Sequence, residues 1–189
     1  RGKLSHKNLN LNAPNLNKLT TAANTFYLWE KGGQKLLELD TAGKLKNQFT
    51  VPENINAVVY SSANDEVLIA TNNGVQKRSK KTAKVLQFVA SEGSVYFINE
   101  KDHYVNISDN SIETGTVNEL KLTADFSRRY PRDFSSATFE YNHPYVVIAG
   151  ENVSLFDTEK KQLYNSVIST QALKGGAITR VKNIDDVLY

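Results

Sequence analysis

Cysteine is absent from this 189-residue chain. That excludes a disulfide framework, a thiolate metal site and a cysteine nucleophile. It leaves the compartment open, because cysteine-free domains occur on both sides of a membrane. Methionine is absent too, position 1 included, and the chain starts Arg1-Gly2-Lys3. A processed or longer protein is therefore expected, with any targeting signal upstream. No apolar stretch approaches the ~18 residues of a membrane span. Neither charge dominates: 23 Lys and Arg face 20 Asp and Glu, and the net charge of +3 does not by itself argue for nucleic acid or an anionic membrane. Histidine is scarce, and His6, His103 and His143 stand too far apart to suggest a metal site. No Gly-x-Gly-x-x-Gly, phosphate loop or nucleophile elbow occurs.

The remaining composition is that of an ordinary globular protein, 40% hydrophobic and 23% charged. Its apolar residues come in short runs rich in β-branched and aromatic side chains, separated by turn residues. The plainest case is Val67 to Phe88. Val67-Leu68-Ile69-Ala70 is too short for a helix, Asn73-Gly74 reads as a tight hairpin turn, a polar strand follows, and Lys80-Lys81-Thr82 turns the chain into Val85 to Val89. Residues 25–51 repeat the scheme: Phe26 to Trp29, a turn at Lys31-Gly32-Gly33, Lys35 to Asp40, a turn at Thr41-Ala42-Gly43-Lys44, then Leu45 to Val51 with Pro52 ending it. Ile55 to Ser62 reads as a linking strand. Further strands are expected at 94–98, 103–107 and 112–122. Residues 124–137 read as a long loop. Pattern returns at Tyr145 to Ala149, Val153 to Asp157 and Leu163 to Ile168. It continues through Gly175-Gly176 into Ala177 to Val181, and Asp186 to Tyr189 reads as the start of another unit.

The fold class is thus all-β, built of antiparallel hairpin or meander repeats. Tyr27-Leu28-Trp29, Val67-Leu68-Ile69, Val95-Tyr96-Phe97 and Val146-Val147-Ile148 take equivalent places, spaced by about 28 to 51 residues. Repeats of this length with short strands suggest propeller blades. The segments Ala70-Thr71-Asn72-Asn73-Gly74-Val75 and Leu155-Phe156-Asp157-Thr158-Glu159-Lys160-Lys161-Gln162-Leu163 resemble the β-propeller superfamily, notably bacterial sensor and quinoprotein-like repeats. The resemblance covers roughly residues 25–189, leaves 1–24 as a lead-in with one edge strand, and implies a partial set of blades completed by a larger protein or another chain. It carries no catalytic residue. A β-sandwich is the alternative.

The densest chemistry lies in Phe126-Ser127-Arg128-Arg129-Tyr130-Pro131-Arg132-Asp133-Phe134. Guanidinium forks suit carboxylate or phosphate, and rings add flat contact surface. Arg128, Arg129, Tyr130 and Arg132 are therefore the main candidates for partner contact, set against a loop merely pinned by its Phe residues. Lys77 and Arg78, with Lys80, Lys81 and Lys84, form a second basic cluster that would make a positive strand edge or simply guard an edge from pairing. Asn106-Ile107-Ser108-Asp109-Asn110 is oxygen-rich but lacks the glycine and acidic spacing of a calcium loop. Asp65-Glu66 and Asp185-Asp186 are sequence neighbours and so point to opposite strand faces. No metal, cofactor or catalytic residue is expected. The reading is a non-enzymatic protein-binding platform. The alternatives are a ligand sensor or enzyme with a site in a central channel, or nucleic-acid binding through the basic loops.

Overall fold

The computed structural model describes residues 15–150, 152–169, 183–184 and 187–188. Among them there is no helix, and the strands form four-stranded antiparallel meanders. The first sheet runs β1 (Lys18–Ala22), β2 (Thr25–Trp29), β3 (Lys35–Asp40) and β4 (Leu45–Thr50). The second holds β5 (Ile55–Ser61), β6 (Glu66–Thr71), β7 (Gly74–Ser79) and β8 (Val85–Ala90). The third holds β9 (Ser94–Ile98), β10 (His103–Ile107), β11 (Ser111–Val117) and β12 (Leu122–Arg129). The fourth holds β13 (Thr138–Asn142), β14 (Tyr145–Ala149), β15 (Asn152–Asp157) and β16 (Gln162–Ser169). A short pair, β17 (Asn183–Ile184) and β18 (Val187–Leu188), follows. The stretches read above at 1–14 and 170–182, with Asp185, Asp186 and Tyr189, lie outside the described residues.

The chain divides into two compact units. One comprises residues 1–104 and 116–123, the other 105–115 and 124–189. In the first unit β6 shows how the apolar runs are used. Val67 and Ile69 join a core with Tyr27, Trp29, Leu36 and Ile55, while Leu68 and Ala70 join another with Val95, Ile98 and Tyr104. Alternate residues of one strand thus feed two cores, and the second sheet is covered on both faces. A two-layer sandwich buries one face of each sheet, so this stacking rules out the β-sandwich alternative. Polar ties reinforce it: Trp29 Nε1 donates to Thr20 Oγ1 (3.1 Å), which donates to Val58 O (2.7 Å). Asn56 Nδ2 donates to both Asn72 Oδ1 and Val95 O, at 3.0 Å each.

In the second unit, Val147, Val153 and Leu155 form a core flanked by Tyr145 and Tyr164. Phe126 of β12 lies 5.7 Å from Phe156 of β15, ring centre to ring centre. Thr114, Asp125 and Lys161 lock together nearby. Thr114 Oγ1 donates to Asp125 Oδ1 (2.6 Å), and Lys161 Nζ donates to Thr114 Oγ1 (2.7 Å) and to both oxygens of Asp125 (3.3 Å).

The structure changes two expectations about local form. The tight turn between β6 and β7 centres on Asn72-Asn73, because Thr71 pairs with Gly74 and the glycine opens β7. The glycine is needed for close approach: a Cβ there would sit 2.0 Å from Val89 O of β8. The expected strand at 112–122 is two strands. Asn118 N donates to Lys121 O (2.9 Å) and closes a turn, and β12 then runs through Arg129, so the expected long loop at 124–137 begins only at Tyr130. The strand escapes hydrophobic patterning because it is the last of its sheet and mostly exposed, as are β4 and β8.

Candidate interaction site

β12 ends its sheet with β11 as its neighbour on one side, and among the described residues no strand lies beside its other edge. Arg128 and Arg129 are its last residues, and both are exposed. Successive strand residues project to opposite faces, so the two guanidinium groups flank the edge. Among the described residues neither has a carboxylate partner. Arg128 lies over the Tyr130 ring, 5.5 Å from its centre.

The chain then leaves the sheet and is pinned down. Tyr130 N donates to Asn110 O (2.8 Å), and Phe134 N donates to Asp109 O (2.5 Å). Phe134 is buried and meets Tyr130 edge-on at 6.0 Å. Partial burial pushes the Tyr130 phenol above its usual range, with the Arg128 charge pulling the other way. Arg132 lies over Phe134 at 5.5 Å, donates through one terminal nitrogen to Ser154 Oγ, and through the other to Asn152 O at 3.4 Å. Asp133 accepts from Ser135 N (2.8 Å), and that backbone bond holds its carboxyl below the usual range.

Residues 130–133 line two recesses. The larger, of about 550 Å³, is completed by Ser136, Ala137, Gly150, Asn152 and Asn165. The smaller, of about 370 Å³, is completed by Asp109, Asn110 and Ser135. The structure therefore brings Arg128, Tyr130 and Arg132 into one continuous surface with Arg129 beside it. Of the residues that complete it, Ser154 and Asn152 lie 22 and 20 positions from Arg132. Nothing in the local sequence marks them as its partners.

Lys77 and Arg78 are placed differently. Each is less than a tenth exposed, so they do not form the positive edge expected. Lys77 Nζ pairs with Asp102 Oδ2 at 3.2 Å. Arg78 Nε donates to Gln76 Oε1 (2.6 Å), a terminal nitrogen donates to Ala83 O (3.0 Å), and the guanidinium lies 4.5 Å from the Phe49 ring centre. Burial pulls the Arg78 pKa down. The Lys77–Asp102 pair borders a separate recess of about 1090 Å³, with Glu66, Gln87, Asn118 and Lys121 among its other lining residues.

Solved structures share this architecture. The Kuenenia stuttgartiensis hydrazine synthase superposes with a TM-score of 0.59 at 10% identity, over 89% of this chain and 53% of that one. The Neurospora crassa Pan2 WD40 domain superposes with a TM-score of 0.58 at 11% identity, over 80% of this chain and 51% of that one.

The fold is that of a β-propeller. Its four-stranded meanders are propeller blades, as the repeat period predicts. The chain spans about half the length of these solved propeller chains. At such low identity the likeness carries fold and not activity. No family model and no curated protein sequence matches the chain.

Proposed function

We propose that this propeller chain is a protein-binding platform whose contacts are made by Arg128, Arg129, Tyr130 and Arg132. The observation that carries the reading is the pair of exposed arginines at the end of β12, which have no carboxylate partner among the described residues and lead into a walled recess. Arginine and tyrosine are the residue types that dominate binding energy at protein interfaces. Tyr130 and Arg132 are already held by ring contacts and by Ser154, so little side-chain freedom is lost on association. Lys77 and Arg78 drop out of the contact set because they are buried and internally partnered.

The test is Arg128→Ala/Arg129→Ala in the full chain. Proteins captured by the immobilised chain are to be quantified against the unaltered protein. The variant should lose its strongest captures while its Tm stays within about 1–2 °C, since both side chains are exposed and Arg128 gives up only its place over the Tyr130 ring. An unchanged capture profile would remove the site from this surface.

A further inference from the structure

We infer that the occupant of this surface is an acidic, extended peptide segment of the partner, lying beside β12 and ending in the recess walled by Tyr130 and Arg132. The inference rests on the platform reading above and names the chemistry of what docks there. Arg128 and Arg129 point to opposite faces of the strand, so a compact anion on one face neutralises only one of them. A chain running alongside the strand alternates its own side chains in the same way and puts a carboxylate next to each. The open side of β12 supplies the backbone donors and acceptors for such pairing.

The recess continues the path. Arg132 engages Ser154 and Asn152 through its two terminal nitrogens, and the remaining guanidinium N–H groups are left for a further acceptor. Ser136, Asn152 and Asn165 add polar lining. Asp125 is held by Thr114 and Lys161. Asp133 caps Ser135 through one oxygen and lines both recesses, while Asp109 lines only the smaller, so the larger carries fewer carboxylates and is the favoured approach.

Nucleic acid fits less well. Binding single strands needs rings exposed for base stacking. Here Tyr130 is half-buried beneath Arg128, Phe134 is buried, and the second basic cluster has its Lys77 and Arg78 inside.

The experiment is fluorescence anisotropy of the full chain with short labelled peptides. A Glu-Glu-Thr-Thr repeat peptide, whose adjacent carboxylates fall on both faces of an extended strand, should bind, with affinity falling as salt rises. Its Gln-Gln-Thr-Thr counterpart should bind about tenfold or more weakly. So should the acidic peptide methylated at every backbone nitrogen, which keeps the charge but has no N–H to donate along either edge. Arg128→Glu/Arg129→Glu should lose the acidic peptide and gain a Lys-Lys-Thr-Thr one at unchanged Tm. Equal binding of the Gln-Gln-Thr-Thr peptide would overturn the acidic character. Equal binding of the methylated peptide would overturn edge pairing. Tighter, arginine-dependent binding of a single-stranded oligonucleotide would replace the peptide with nucleic acid. If no peptide binds while Arg128→Ala/Arg129→Ala still abolishes protein capture, this inference fails and the platform reading stands. If capture is also unchanged, both fall.

Discussion

Gly74 and Ala83 are small residues in neighbouring parts of one sheet, and they respond oppositely to change. At Gly74, with φ +147°, an added methyl group would meet the backbone of Val89, which cannot give way without opening the β7–β8 pairing. Gly74→Ala should therefore cost about 2–4 kcal/mol, from overpacking and a strained backbone together. Ala83 sits at φ +56° in the β7–β8 turn, where a Cβ disfavours the left-handed conformation by about 1–2 kcal/mol. Glycine removes that penalty but loses about 0.5–1 kcal/mol of extra chain entropy on folding. Ala83→Gly should then raise stability by about 0.5–1 kcal/mol. Urea denaturation of the two variants measures both. A neutral Gly74→Ala would show that the glycine had been kept for some reason other than contact with β8. The same left-handed geometry recurs at Asp65, Asp102 and Lys161, each in a hairpin turn, so strain of this kind is a repeating feature of the blades.

The blades share a turn device that a hydrophobic pattern does not reveal. Asp40 Oδ1 accepts from Ala42 N and Lys44 N, Asn99 Oδ1 from Lys101 N and His103 N, and Asp157 Oδ1 from Glu159 N and Lys160 N. Ser79 Oγ does the same for Thr82 N. Each is a side-chain cap that satisfies backbone donors as the chain reverses. The inner strands were legible because Leu36, Leu37 and Leu39, Val67 to Ala70 and Val146 to Ile148 are buried, and burial favours apolar side chains. β12 was not, because an exposed last strand needs no apolar alternation. Likewise the arginines announced their chemistry in sequence, while the recess beside them is closed by Gly150, Asn152 and Asn165, which only the strand pairing brings near. Asp125 of β12 supplies a test at this scale. Partial desolvation pushes its carboxyl up, but the hydrogen bonds from Thr114 and Lys161 and the Lys161 charge prevail and hold it below its usual range. A depressed folded-state pKa means that the stabilisation is complete above the unfolded value of about 3.9 and is lost as pH falls through the folded one. The group is more than half exposed, so the gain at neutral pH should be about 0.2–1 kcal/mol. Asp125→Asn should be less stable than the unaltered chain at pH 7, and the two should converge in acid. Parallel stability curves down to pH 2 would rule out a role for the charge.

At the scale of the whole chain, stability is held in separate cores. Leu68 belongs to one whose buried residues come from β6 to β11, all within the first unit, and Val147, Val153 and Leu155 belong to another within the second unit. Repeat architectures of this kind draw their stability from each module and its nearest neighbours. Damage to one core should then loosen the strands that share it well before it loosens the rest. Leu68→Ala removes a fully buried side chain from a strand covered on both faces, and such a cavity costs about 2–5 kcal/mol. Native-state hydrogen exchange reads the consequence strand by strand. Amides of β5, β6, β7 and β9 should exchange faster in the variant, while those of β14 and β15 keep their protection, because their side chains pack in a core that Leu68 does not enter. A uniform rise across β5–β7 and β14–β15 would mean that the chain unfolds as one cooperative block. The arginine surface on the second unit would then share the fate of every core mutation, and its independence from changes in residues 1–104 would be lost. The Leu68 core reaches the start of β12 at Leu122, while Arg128 and Arg129 lie at the strand's far end, so peptide binding there measured on the same variant should stay within about twofold of the unaltered chain.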